Sequence, residues 1–113
     1  MARALGVRRG ELYWAHLPDP IGRCPVLIVT RTEVLGVRTS VTVAPITRTI
    51  RRIPSEVALD RSHGLRAASV ANCDSLQTIQ KVSLGQRPMG QLADREFLTL
   101  DRALRYALGI RSA

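Results

Sequence analysis

The chain has 113 residues, enough for one small domain with its own core. Its hydrophobic content of 45% excludes a wholly disordered protein, and no apolar run nears the ~20 residues a membrane helix needs. Seventeen Lys and Arg stand against nine Asp and Glu, a net charge of +8 that points to nucleic acid or an acidic protein segment as partner.

Lys81 is the only lysine, so nearly all the basicity is arginine. A GC-rich coding bias accounts for much of that ratio but leaves the net charge unexplained. Arginine carries a planar fork that grips phosphate with two parallel hydrogen bonds. The N-terminus is basic but has no apolar stretch behind it, so no secretory signal is expected. Cys24 and Cys73 match no metal-ligand spacing, which suits a reduced cytoplasmic protein; a Cys24–Cys73 disulfide is the alternative.

In chain order, residues 1–8 are expected as a flexible arm on a single domain of residues 1–113. Glu11 to Leu17 reads as a strand, ended by Pro18-Asp19-Pro20. Tyr13 and Trp14 are neighbours on it and face opposite ways, so one of them belongs in the core. Pro25 to Thr30 is a second strand with proline at its first position, where a missing N–H matters least. Its unbroken apolar character predicts burial on both faces. Glu33 to Thr39 is a loop or short turn, and Ser40 to Ile46 a third strand. Residues 47–54 form a basic connection. Ser55 to Leu59 alternates polar and apolar, as a short strand does. Asp60 to Arg66 is a turn around Gly64. Ala68 to Asn72 and Leu76 to Ile79 are strands separated by a bend at Asn72–Ser75. Lys81 to Leu84 is a helical turn and Gln86 to Leu92 a last strand. From Asp94 to Ile110 the period changes: Phe97, Leu100, Leu104, Ala107 and Leu108 recur at helical spacing, and Gly109 supplies a stop. Many short strands and one terminal helix predict a mainly β fold, a small SH3-like barrel with helical decoration.

No metal constellation, Gly-rich phosphate loop or Gly-x-Ser-x-Gly elbow is present in the sequence. His16 and His63 are expected at the surface. Four aromatic residues are too few for a base-stacking platform of the RRM type. What remains is arginine, hydroxyls and scattered acids. That set suits RNA, whose 2′-OH is a built-in nucleophile, because the protein then needs chiefly to orient the phosphate and stabilise charge on its oxygens. Arg23 and Thr47 are candidates, each standing at the edge of an apolar strand. On the residues alone, an exposed turn arginine and a strand-end hydroxyl are equally good descriptions.

Several of these segments together resemble the MazF/PemK toxins, ribonucleases of bacterial toxin–antitoxin pairs. The resemblance is carried by Arg9-Gly10-Glu11, by Pro25 to Thr30 and by Val41-Thr42-Val43-Ala44-Pro45-Ile46-Thr47. It continues through Ser69 to Ile79, Gly90-Gln91-Leu92 and Leu100 to Leu104. It implies a homodimer without cofactor or metal that cleaves single-stranded RNA (mRNA, tRNA or rRNA), leaving 2′,3′-cyclic phosphate and 5′-OH ends. It also implies an antitoxin whose acidic C-terminal tail crosses the RNA groove. Thr47 takes the family's catalytic threonine position. The family's catalytic arginine stands directly before the strand-two proline, and here that position is Cys24. Three readings follow: Arg23 swings in from an irregular loop, another groove arginine such as Arg48 serves, or the chain binds RNA and antitoxin with little or no catalysis. Arg48, Arg51 and Arg52 are expected to form a backbone-binding rim, and Asp74 and Ser75 match positions that line the base-reading groove. The same barrel occurs in a gyrase-poisoning toxin, but that relative uses a tryptophan near its C-terminus, and the only tryptophan here is Trp14.

Overall fold

The computed structural model describes residues 6–111. Seven antiparallel strands form one strongly bent sheet: β1 (Glu11–Leu17), β2 (Gly22–Ile28), β3 (Ser40–Thr47), β4 (Glu56–Leu59), β5 (Ser69–Asn72), β6 (Gln77–Gln80) and β7 (Gly90–Gln91). The order is β4-β5-β3-β2-β1-β7, with β6 also on β3. A short helix α1 (Thr32–Leu35) follows β2, and α2 (Glu96–Leu108) closes the chain. The sheet curls into a half-barrel because β3 divides its second edge. Val41 to Val43 pair with β6, and Ile46 and Thr47 pair with β5. The 3₁₀ turn Cys73–Ser75 between the two partners makes that change of direction. Asn72 holds the turn, its Oδ1 accepting the Asp74 N–H at 2.9 Å.

The bent sheet has a core on each face. Tyr13, Ala15, Val26, Ile28, Val41 and Val43 fill one, while Leu12, Leu27, Ala44, Ile46 and Ala71 fill the other under α2. Val26, Leu27 and Ile28 are fully buried, as an unbroken apolar run requires. Tyr13 is the core aromatic and Trp14 the exposed one. The Tyr13 hydroxyl donates to buried Glu11, whose Oε1 also accepts the Arg8 N–H.

Four expectations need correction. The arm is shorter at its inner end than residues 1–8, because Val7 is buried in the first core; residues 1–5 lie outside the described part. The strand expected over Gln86 to Leu92 is ladder-like only at β7, since Pro88 has no N–H to give; isolated bonds such as Met89 N to Leu12 O (2.7 Å) hold the rest against β1. On α2, Ala103 is buried and Leu108 is 58% exposed, so the apolar face is rotated from the one the spacing suggested. Gly109 stops the helix as expected, with φ +69° and paired bonds from Gly109 N to Tyr106 O and Ile110 N to Arg105 O.

The fourth correction is His63, which is buried rather than on the surface. Its Nδ1 accepts the Asp60 N–H at 3.1 Å, so the neutral ring carries its proton on Nε2 and donates it to Glu96 Oε1 at 2.8 Å. The imidazole thereby ties the turn after β4 to the first turn of α2. The same turn meets the β7 segment backbone to backbone: a Cβ on Gly64 would lie 1.9 Å from the Met89 carbonyl oxygen, and one on Gly90 1.9 Å from that of His63. Gly90→Ala is therefore expected to destabilise the fold by about 2 kcal/mol or more, read as a shift of the urea midpoint at unchanged slope.

Glu96 is pulled two ways. Burial raises its pKa, but the Ala93 N–H, the His63 contact and Arg95 together outweigh burial and leave it below its ordinary 4.5. Asp60 is lowered as well, chiefly by the hydroxyl and N–H of Ser62. A carboxylate depressed in the folded state stabilises above its unfolded pKa and loses that contribution as pH falls through the folded value. Unfolding free energy is thus expected to decline as pH drops below 4.5. Glu96→Gln is expected to flatten that decline in urea titrations across the acid range without removing the part due to Asp60.

Candidate nucleic-acid interface

On β1 and β2 the two-residue alternation of side chains decides what faces the solvent groove. Trp14 pairs with Pro25 and His16 with Arg23, so Trp14, Arg23 and Pro25 share one face. Cys24, between them, turns to the opposite face and packs against the core that holds Val26 and Ile28. Arg23 lies within a paired strand rather than an irregular loop. Its guanidinium carbon stands 4.2 Å from the centroid of the Trp14 ring.

That face forms one wall of a cleft of about 470 Å³. Pro25 and Ile46 are apolar parts of its lining, and Thr47 and Arg48 continue it at the end of β3. Gly64, Leu65, Arg66 and Ala67, on the turn after β4, complete the lining with Ser69 and Met89. Three guanidinium-bearing residues, Arg23, Arg48 and Arg66, therefore line one space with a threonine and an exposed indole. No carboxylate or imidazole is among the lining residues. Thr47 Oγ1 accepts the Thr49 N–H at 3.1 Å, which directs a lone pair inward and leaves its own proton to donate to a ligand.

Arg51 and Arg52 lie beside the cleft rather than in it, on the exposed loop that follows. The loop is shaped through its backbone: the Glu56 carboxylate accepts the N–H groups of Arg51 and Arg52 at 3.1 and 3.0 Å, and Arg52 takes a left-handed φ of +58°. Both guanidiniums remain exposed. Asp74 and Ser75 sit on the 3₁₀ turn at the far end of β5 and do not line the cleft. Asp74 Oδ2 accepts the hydroxyl of buried Ser55 at 2.5 Å, and Ser75 Oγ accepts from Asn72 Nδ2 at 3.2 Å. Arg66, Trp14 and Met89 are among the lining residues that sequence reasoning did not assign to the site. The strand alternation that separates Trp14 from Tyr13 was the available signal for the indole; nothing local marked Arg66.

Both thiols are free and both are held protonated. Burial raises Cys24 against the opposing pull of the Ile46 N–H. Burial, with the charge of Asp74 adding to it, takes Cys73 to about 11. Neither is an activated nucleophile. Among the described residues, no group of three His, Cys, Asp or Glu side chains comes together in a way that would hold a metal ion.

The fold and the segments that build this cleft recur in known proteins. Residues 8–108 match the family described as PemK-like, MazF-like toxin of type II toxin-antitoxin system. Endoribonuclease MazF3 of Mycobacterium tuberculosis is 47% identical over 72 residues, 64% of this chain and 70% of that protein. Among solved structures, Mycobacterium tuberculosis toxin MazF-mt6 superposes with a TM-score of 0.83 at 38% identity, covering 90% of this chain and 99% of that one. An endoribonuclease in complex with its cognate antitoxin, from a mycobacterial species, gives a TM-score of 0.81 at 29% identity over 96% of this chain and all of that one. The chain belongs to the PemK-like, MazF-like toxins of type II toxin–antitoxin systems.

Proposed function

We propose that this chain is an endoribonuclease, the toxin of a toxin–antitoxin pair, and that it cuts single-stranded RNA in the cleft between Trp14 and the Gly64–Ala67 turn. One observation carries the site: Arg23, Thr47 and Arg48, picked out in the sequence, line the same space. Cleavage there is a transesterification. The 2′-oxygen bonds to the adjacent phosphorus and gives up its proton. The bond from phosphorus to the 5′-oxygen breaks, and that oxygen gains a proton. The products are a 2′,3′-cyclic phosphate and a 5′-OH. Arg23 supplies fork-like donors to the phosphoryl oxygens as charge builds on them, and Thr47 donates its hydroxyl proton to the same group. Arg48 and Arg66 neutralise flanking phosphates, with Arg51 and Arg52 reaching RNA outside the cleft. Asp74 and Ser75, away from the cleft, have at most an outer role in reading bases.

The partner proposed for the same groove is an antitoxin with an acidic tail, whose carboxylates would take the place of phosphates. The solved complex of a similar endoribonuclease with its cognate antitoxin supports an antitoxin as partner; the acidic tail and the groove follow from the charge of the cleft. A homodimer is the proposed assembly, and sedimentation of the purified toxin checks it. No helix among the described residues is long and apolar enough to cross a membrane. The proposed RNA substrate places the activity in the cytoplasm.

The assignment of roles is tested by cleavage of single-stranded RNA. Arg23→Ala and Thr47→Val are each expected to lower kcat by about 100-fold, the usual cost of removing one preorganised donor. Thr47→Ser retains the hydroxyl and is expected to retain most of the rate. Cys24→Ala is expected to stay within about threefold of wild type, since the thiol faces away from the cleft; full activity of Arg23→Ala, or collapse of Cys24→Ala at unchanged stability, would sink the assignment.

Binding is tested by its salt dependence. For an oligonucleotide short enough to stay within the cleft, three phosphates neutralised by Arg23, Arg48 and Arg66 give a slope of log affinity on log salt near −2, at about −0.7 per phosphate for single strands. Affinity for a 2′-deoxy oligonucleotide should fall roughly tenfold to twentyfold from 50 to 200 mM salt. Arg48→Ala should reduce the slope by about 0.7. A slope near zero would exclude backbone recognition by these arginines.

A further inference from the structure

The one aromatic face on the groove side of β1 is occupied by the residue proposed to stabilise the reacting phosphate. Arg23 stands diagonally across the β1–β2 ladder from Trp14, because Trp14 pairs with Pro25 two residues further along β2. Diagonal neighbours on one face are within reach of an aromatic ring. The guanidinium carbon lies over the indole at 4.2 Å from the centroid. Among the described residues, the Arg23 side chain makes no hydrogen bond or ion pair, so the ring is its fixed side-chain partner.

We infer that Trp14 is a positioning residue for Arg23: the indole holds the guanidinium flat against the cleft wall, with its N–H edge free for a phosphate. This inference rests on the ribonuclease function proposed above. The chemistry follows from the shape of the group. A guanidinium stacked on a ring uses its π face and keeps its five N–H donors in the plane, available at the edges. A carboxylate partner would occupy those same donors. An arginine left to solvent would have to be ordered anew for each substrate, at the cost of the rotamer freedom of a long side chain. Trp14 is itself well placed to hold still. Its backbone is fixed in β1 opposite Pro25, and its carbonyl accepts the Gly85 N–H at 2.7 Å. The arrangement answers the displacement of arginine from the position before Pro25 to the one before Cys24. At residue 23 the side chain needs a support on the β1 side of the groove, and the ring provides it.

Because Trp14 is the only tryptophan, the contact can be read without activity. Arg23→Ala uncovers the ring face and is expected to red-shift the protein's tryptophan emission. Arg23→Lys should give an intermediate spectrum. An unchanged emission in Arg23→Ala shows that the contact does not persist in solution, and the inference falls whatever the kinetics say. The kinetic arm uses a single-stranded RNA that the wild-type protein cleaves. Trp14→Leu is expected to lower kcat about tenfold with KM changed less than twofold, and Trp14→Phe, which keeps a ring face, to recover most of the loss. In an Arg23→Ala background Trp14→Leu should add less than twofold, because the residue acts through Arg23.

A rise in KM at constant kcat would mean that the indole stacks on RNA instead, and would overturn the inference. So would a full tenfold loss in the Arg23→Ala background. A wild-type protein that cleaves no RNA refutes the ribonuclease function, and with it the catalytic purpose inferred here. The emission of Arg23→Ala then still decides whether the two side chains are paired. That measurement needs no Trp14 variant, so a misfolded Trp14→Leu cannot leave the question open.

Discussion

The register between β1 and β2 is the constraint on which the site depends. Trp14 opposite Pro25 and Tyr13 opposite Val26 fix which residues look into the cleft and which into the first core. A slip of one residue would move Val26 and Ile28 out of that core and bring Leu27 into it. Both faces are covered here, so polarity does not choose the register; the sizes of the packed side chains do. Three consecutive residues buried to zero exposure leave no tolerance for the exchange. The position of Arg23 is thus a by-product of core packing three to five residues away. The same register sends Cys24 to the far side, where burial keeps its thiol neutral.

The Gly64–Ala67 part of the cleft lining is fixed by a different device. The turn after β4 approaches the β7 segment so closely that only glycine fits at residues 64 and 90. Gly64 also needs its positive φ of +87°, which other residues adopt at a cost. His63 then links the turn to α2 through Glu96. Three segments distant in sequence meet there, and the cleft residues Leu65 to Ala67 follow directly from the turn. The C-terminal helix contributes no residue to the cleft lining, yet it shares a core with Ile46 and Leu65 and holds the turn through Glu96.

Much of this was legible in the sequence where one period or one residue type dominates. The apolar run of β2, the bend at Asn72–Ser75 and the Gly109 stop each announce themselves locally, and the structure has them. Phe97, Leu100 and Leu104 gave the helix but not its exact orientation, since which of Ala103 and Leu108 is buried depends on the sheet it packs on. His63 could not be placed from its neighbours, because its partner Glu96 lies thirty-three residues away. Arg23 was the instructive case. Its place one residue before the family position does not by itself say which face it takes; pairing with β1 puts it on the cleft face with Pro25. Asp74 is a different case: it matches a motif position but lies outside this cleft, on the exposed turn, where its carboxylate accepts the Ser55 hydroxyl.

The charge of +8 gains meaning from how the acids are used. Glu56 is bound to the backbone of the Arg51–Arg52 loop, Glu96 to His63 and Ala93, Asp60 to Ser62, Asp74 to Ser55, and Glu11 to Tyr13 and Arg8. Their negative charge is spent on shaping turns and caps, not on neutralising arginines. Among the described residues, Arg9 with Asp101 is the one arginine ion pair. An arginine already paired must lose that partner before it can take a phosphate, and the exchange gains little. The guanidiniums of the cleft have no such partner to lose. Stacking on Trp14 orders Arg23 without spending any of its charge, which is why an aromatic ring serves this position better than a carboxylate would.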